Sequence, residues 1–290
     1  MATIISGKEV SKEVKAQVLA RASFLSEKFR APCLAVIRVG DDPASEVYVR
    51  NKMKATAETG IKGLDYHFDD CVSEEELLEL ISKLNADDAV DGILVQLPLP
   101  KKFSEEKILK AIDPEKDVDG FSETQTGKLF LGKPEFAACT PSGVIKLLEY
   151  YHIDPKGKTA AVVGRSNIVG KPMAHLLLQK DATVTICHSK TPDIAEILKK
   201  SDIVVVAIGK PKFVTGDMLK EGAVVVDVGI NRVDGHLVGD VDFESAEKVA
   251  SFITPVPGGV GPMTVAMLMV NTVKSAEKRL MGKWNENISL

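Results

Sequence analysis

Apolar residues return at about helical spacing in the first long segment. Val10, Val14, Val18, Leu25 and Phe29, with charges between them, predict a helix over 8–29 capped by Ser6. Pro32 ends it, and Leu34 to Val39 is an unbroken apolar run of strand length. The turn Gly40-Asp41-Asp42-Pro43 leads into a second helix over 44–59, stopped by Gly60. A strand at 64–68, an acidic helix at 73–86, a strand at 91–96 and a short helix at 104–112 come next. Phe121 to Lys133 breaks pattern three times and reads as loop. A helix from Gly143 to Tyr151 has Pro141 in its first turn. Beyond it come strands at 160–163, 183–187, 202–208 and 223–228, the last two so rich in valine that both faces must be buried. The final pattern is a rigid glycine–proline loop, Thr254 to Thr264, feeding an apolar helix over 265–280. That helix is too hydrophobic for the surface, and a frayed tail is expected after Gly282.

Strand and helix alternate throughout, so the class is α/β, with mostly parallel sheets. A chain of 290 residues can hold two cores. We place an N-terminal α/β catalytic domain at 1–138 plus 265–290, the C-terminal helix packing back on it, and a Rossmann-type domain at 139–264. Composition adds exclusions: 44% hydrophobic and 27% charged residues are ordinary for a soluble protein. A net charge of −4 gives no general attraction to nucleic acid or an anionic membrane. No apolar run nears the roughly 20 residues that span a bilayer, and the N-terminus lacks a signal peptide, so a cytoplasmic location is expected. Cys33, Cys71, Cys139 and Cys187 lie far apart without a C-x-x-C pair, and they read as buried reduced thiols with no metal site.

The chemistry centres on Thr159 to Pro172, T-A-A-V-V-G-R-S-N-I-V-G-K-P. A strand breaks at Gly164, loops through Arg165 and Ser166, and opens a helix at Val169–Gly170. Such a loop lets backbone approach an anion, and the helix N-terminus offers unpaired N–H groups. The loop departs from G-x-G-x-x-G, being one residue longer with serine at the middle position. An NAD site usually carries Asp or Glu at the end of the next strand. Here that strand runs into His188-Ser189-Lys190. Arg165 and serine, with His188 or Lys190 as further cations, suit a 2′-phosphate, so the cofactor is read as NADP. A plain glycine turn would explain the loop alone; the missing acid and Arg165 weigh against it.

In the second helix, Ser45, Tyr48 and Lys52 form S-x-x-Y-x-x-x-K, and Tyr48 and Lys52 share one face. A ring beside an ammonium suits a flat substrate reacting at its edge, and a desolvated lysine gives up its proton more readily. Such pairs are also common on solvated helices. Gln96 ends a strand, where open α/β sheets bind ligands, and Leu97-Pro98-Leu99-Pro100 stiffens the backbone beyond it. Asp117 and Asp119 flank a turn at Gly120; without a third ligand they read as a turn plus one substrate-binding carboxylate. Gly209 and Gly229 should border the nicotinamide half of the cofactor.

Together these segments resemble the bifunctional methylenetetrahydrofolate dehydrogenase/cyclohydrolase family over nearly the whole chain. The motifs are Y-V-R-N-K (Tyr48 to Lys52), V-Q-L-P-L-P (Val95 to Pro100), D-V-D-G-F (Asp117 to Phe121), V-G-R-S-x-I-V-G-K-P (Val163 to Pro172) and P-G-G-V-G-P-M-T (Pro257 to Thr264). The resemblance implies NADP-dependent oxidation of 5,10-methylenetetrahydrofolate to the methenyl cation, then hydrolysis to 10-formyltetrahydrofolate. It implies Lys52 as the key cyclohydrolase residue, tuned by Gln96, with Tyr48 stacking on the folate and Asp119 holding the pterin. Leu97, Gly261 and Pro262 would touch the folate. Gly164, Arg165, Ser166, Ser189, Ile230 and Thr264 would touch NADP, and the family acts as homodimers. A shikimate-dehydrogenase-like enzyme would share the cofactor half but lack Q-L-P-L-P and P-G-G-V-G-P-M-T. A non-catalytic cofactor-binding protein would be expected to lose Lys52 or Asp119.

Overall fold

The structure, a computed structural model, describes residues 2–282; the tail expected to fray lies outside them. In chain order it forms β1 (Thr3–Ile4), α1 (Gly7–Lys28), β2 (Cys33–Val39), α2 (Pro43–Glu58), β3 (Lys62–Phe68), α3 (Glu74–Ala86), β4 (Gly92–Val95), α4 (Glu105–Ala111), α5 (Glu123–Phe130) and α6 (Cys139–Tyr150). It continues with β5 (Thr159–Val163), α7 (Gly170–Gln179), β6 (Thr183–Cys187), α8 (Ile194–Leu198), β7 (Ile203–Val206), β8 (Val224–Asp227), β9 (Asn231–Val233), β10 (His236–Val238), α9 (Phe243–Ala246), β11 (Phe252–Ile253) and α10 (Val260–Met281). Local caps fix several helix starts. Asp42 accepts from Ser45 N at α2, Ser73 and Glu76 form a reciprocal capping box at α3, and Ser104 and Ser122 cap α4 and α5. Each such cap contributes about 1 kcal/mol.

The chain divides into two compact units: Met1–Ser11 with Ala138–Thr264, and Lys12–Ala137 with Val265–Leu290. The first residues were expected in the N-terminal domain. They cluster instead with the other unit because β1 adds to its sheet, Thr3 in register with Phe252 and Ile5 N donating to Ile253 O at 2.8 Å.

In the unit beginning at Lys12, three parallel strands run in the order β3-β2-β4. Cys33, Ala35 and Ile37 of β2 pack with Leu77 and Ile81 of α3 and Ile108 of α4. The expected return of the C-terminal helix is seen here. Asn271 Nδ2 donates to Val118 O at 2.8 Å, Ser275 Oγ to Asp91 O at 2.7 Å, and Arg21 Nε to Glu277 Oε1 at 2.8 Å. Lys116 is fully buried, its Nζ donating to the carbonyls of Leu84, Asn85 and Asp87 at the end of α3. Burial pushes that ammonium's pKa down.

The other unit holds six parallel strands in the order β1-β11-β8-β7-β5-β6. All four residues of β7 and of β8 are buried, as their valine-rich sequences require. Each sheet reverses direction once. From β2 the chain goes out to β3 and returns on the other side at β4; from β5 it goes out to β6 and returns at β7. Crevices beyond the carboxyl ends at such reversals are where open α/β sheets bind ligands.

Three sequence expectations change. Residues 123–130 are helical rather than loop, since Ser122 caps them and Gln125 and Leu129 turn inward. The last helix begins at Val260, not 265, so Gly261, Pro262 and Thr264 sit in its first turns. Proline fits there because first-turn N–H groups need no helical partner. The hairpin β9–β10, which periodicity did not reveal, turns at Asp234-Gly235, both at positive φ. Asp-Gly is itself a strong hairpin signal, since both residues tolerate that backbone.

Candidate active site

The phosphate loop lies at the β5/β7 reversal. Gly164 has φ +131°, and a Cβ there would stand 2.2 Å from Ala207 O, just past β7. No side chain fits this position. Gly164 N also donates to Cys187 O at 2.9 Å, tying the loop to the end of β6. Arg165 and Ser166 are exposed. The first N–H groups of α7 are not unpaired, however. Ser166 Oγ accepts from Val169 N and Gly170 N, both at 3.2 Å, and Ser166 O accepts from Lys171 N at 3.0 Å. The serine closes the loop on the helix and leaves its dipole facing the crevice.

Beyond β6, His188 N donates to Thr191 Oγ1 at 2.9 Å, and Lys190 N donates to His188 Nδ1 at 3.1 Å. This tight turn holds Ser189 and Lys190 exposed, with no carboxylate between Cys187 and Pro192. An arginine, exposed serines and a lysine around a glycine cradle fit a phosphorylated dinucleotide. Ile230 is 41% exposed, and a Cβ on Gly261 would touch its Cδ1 at 3.5 Å. The hydroxyls of Thr264 and Thr140 lie 2.9 Å apart.

At the β2/β4 reversal, Gln96 N donates to Ile37 O of β2, which seats Gln96 at the strand end. Its side chain is oriented by its neighbour's backbone: Nε2 donates to Leu97 O at 2.6 Å, and Oε1 accepts from Lys52 Nζ at 2.9 Å. Lys52 comes from α2 and is only 8% exposed. Tyr48, one turn earlier, is 38% exposed, and partial burial raises its phenol pKa, so it is neutral near pH 7. The Leu97–Pro98 bond is cis.

Asp117 and Asp119 have separate places. Asp117 is buried and committed to the turn, accepting from Gly120 N at 3.0 Å and Ser122 N at 2.7 Å. A parallel bridge between Ile93 and Asp117 runs this segment alongside β4, toward the strand end that carries Gln96. Asp119, two residues on, is half-buried. Of the four cysteines, Cys71 is exposed, because it sits in the loop between β3 and α3; the other three are buried as expected.

Two family models match the chain. The tetrahydrofolate dehydrogenase/cyclohydrolase catalytic domain covers residues 5–119, and the NAD(P)-binding domain of the same enzymes covers 138–280. The "Bifunctional protein FolD" of Acetivibrio thermocellus is 57% identical over 277 residues, 95% of this chain and 97% of that one. The chain belongs to the tetrahydrofolate dehydrogenase/cyclohydrolase family. Solved members share the fold closely. The bifunctional enzyme of Campylobacter jejuni has 52% identity and a TM-score of 0.95, covering 96% of this chain and 100% of that one. The Trypanosoma brucei methylenetetrahydrofolate dehydrogenase-cyclohydrolase, complexed with NADP and an inhibitor, has 40% identity and a TM-score of 0.93, covering 96% and 98%.

Membership of the tetrahydrofolate dehydrogenase/cyclohydrolase family accounts for a dinucleotide crevice in one unit and a lysine–glutamine pair in the other. Sequence reasoning passed over Asp227 and Asp240, both buried at the end of β8 and the β10–α9 loop. D-V-G reads simply as a strand running into a turn. A carboxylate directly after three buried valines was the available signal, since buried acids need many donors.

Proposed function

We propose that this chain oxidises 5,10-methylenetetrahydrofolate with NADP and then hydrolyses the methenyl product to 10-formyltetrahydrofolate. The observation that carries the reading is the Lys52–Gln96 hydrogen bond at the β2/β4 reversal, in a chain of this family. NADP, when bound, takes up the hydride. Arg165 and Ser189 recognise the 2′-phosphate, Gly164 and Ser166 seat the pyrophosphate, and Ile230 and Thr264 line the rest of the pocket. Hydride transfer needs position rather than acid–base work, because the folate nitrogen stabilises the cation it leaves. Tyr48 stacks on the folate, Asp119 accepts from the donor-rich pterin edge, and Leu97 adds a further folate contact. Hydrolysis needs a water activated and protons moved, and Lys52 does this with Gln96 holding its Nζ. The working form is a cytoplasmic homodimer, which light scattering of the purified protein would check.

The deciding experiment tracks NADPH formation and methenyltetrahydrofolate absorbance together, with NADP and with NAD. NADPH forming with little methenyl accumulation is the expected result. In Lys52→Met, hydrolysis should fall about 100- to 10,000-fold while some dehydrogenase activity persists and methenyl builds up. Equal loss of both activities would mean that Lys52 only holds the substrate. No reduction of either cofactor would overturn the reading.

A further inference from the structure

Two carboxylates, on Asp227 and Asp240, lie buried without a cation: among the described residues neither forms a salt bridge. Burying a charge this way is costly unless hydrogen bonds replace water, and here each acid accepts three. Asp240 Oδ2 takes Ile208 N at 2.7 Å and Gly209 N at 2.9 Å, from the loop after β7. Its Oδ1 takes Asn231 Nδ2 at 2.9 Å. Asp227, the last residue of β8, takes Gly229 N at 2.9 Å and Asp240 N at 3.0 Å on Oδ1, and Val241 N at 2.9 Å on Oδ2.

The chain is shaped to admit these groups. A Cβ on Gly229 would stand 2.2 Å from Asp240 Cγ, and one on Gly239 would stand 1.8 Å from Asp227 Oδ2. Thr254 Oγ1 accepts from Asp227 N at 2.7 Å and adds the end of β11 to the network. Two loops at the carboxyl edge of the sheet, 207–209 and 228–231, are therefore fixed to one another by side-chain oxygens rather than by a β-ladder.

We propose that Asp240 and Asp227 are positioning residues for hydride transfer: they fix the loops at Ile208–Gly209 and Gly229–Asn231, and through them Ile230 and the nicotinamide end of the cofactor pocket. The proposal rests on the assignment of Ile230 to that pocket under the proposed function. Asp240 matters most, because one carboxylate spans both loops. It accepts on both sides, and Asn231 answers it with an amide that also donates to Val238 O at 3.4 Å. Asp240→Asn keeps the bonds to Ile208 and Gly209 by turning its NH2 toward position 231, where Asn231 can still accept if its amide flips and gives up Val238 O. Asn231→Asp would set two carboxylates against each other. The double variant restores one donor and one acceptor, the new amide at position 240 donating to the new carboxylate at position 231.

The bifunctional chain supplies its own control, since hydrolysis of added methenyltetrahydrofolate uses no dinucleotide. In Asn231→Asp we expect the KM for NADP to rise about 10- to 100-fold, and in Asp240→Asn, where a flipped Asn231 amide can still accept, by about tenfold at most. The hydrolysis rate should stay within about twofold, and the double variant should recover most of the NADP affinity. Should Asp240→Asn fail to fold, Asn231→Asp compared with the double variant carries the same test. Parallel loss of both activities without rescue would reduce the pair to a structural feature and overturn the proposal. Ile230→Ala separates the two ideas. If it leaves the KM for NADP unchanged, the pocket assignment fails. If it raises KM while Asn231→Asp does not, the positioning role alone fails.

Discussion

Gln96 shows how little freedom one amide has. Because Nε2 is committed to Leu97 O, only Oε1 can meet Lys52, and the lysine is held by an acceptor without a charge. Gln96→Glu would keep the acceptor, lose the bond to Leu97 O and put a carboxylate against the ammonium. Tighter holding of the proton should slow hydrolysis of methenyltetrahydrofolate about 10- to 100-fold in initial-rate assays, with a smaller effect on NADP reduction. At this scale the sequence was only partly readable. Tyr48 and Lys52 are one turn apart on a helix, so spacing alone pairs them. Lys52 and Gln96 are 44 positions apart, and only the order β3-β2-β4 brings them together. Asp117 and Asp119 look alike in sequence, and hydrogen bonds to Gly120 and Ser122 separate the turn-maker from its neighbour.

At the scale of elements, periodicity found the long helices and the buried strands because each has a full apolar face or run. It missed α5, where Gly127 and Thr126 mask an eight-residue helix that Ser122 and Leu129 nevertheless define. It also began α10 too late, since a glycine–proline run resembles a loop until its first turn is seen to need no N–H partners. What seats α10 was invisible to pattern reading: Glu277 and Arg21, both 7% exposed and 256 positions apart, form a buried two-bond pair. Glu277→Ala leaves that guanidinium without its carboxylate and should destabilise the protein by about 3–5 kcal/mol, lowering the melting temperature by roughly 10 °C. Replacing both residues by leucine should recover most of the loss, because an apolar pair needs no desolvated charge. Calorimetry on the three proteins would show it.

For the whole molecule, stability should carry the mark of Asp227. Burial, with Asp240's charge adding to it, pushes this carboxyl up to about 6 from 3.8, against the backbone N–H groups that favour ionisation. The folded state therefore holds the proton more tightly than the unfolded one. Stability from this group is greatest below pH 4, falls as pH rises to about 6, and is level above, a change on the order of 2–3 kcal/mol. Asp202, drawn down to about 2 chiefly by Lys220 and Thr159, works in the opposite sense, its contribution being lost only as pH falls below 4. Urea midpoints from pH 4 to 7 should show a downward component that is absent in Asp227→Asn. The division into units has a different consequence, for the newly made chain. Val118, Asp91 and Arg21 wait for partners at 271, 275 and 277, and β1 waits for β11 at 252–253. At about 5–20 residues per second, a ribosome takes roughly 8–50 seconds to make the 153 to 256 residues that separate these partners. Neither unit can close on its core before the chain beyond residue 250 has been made, so both halves leave the ribosome with their later partners still missing.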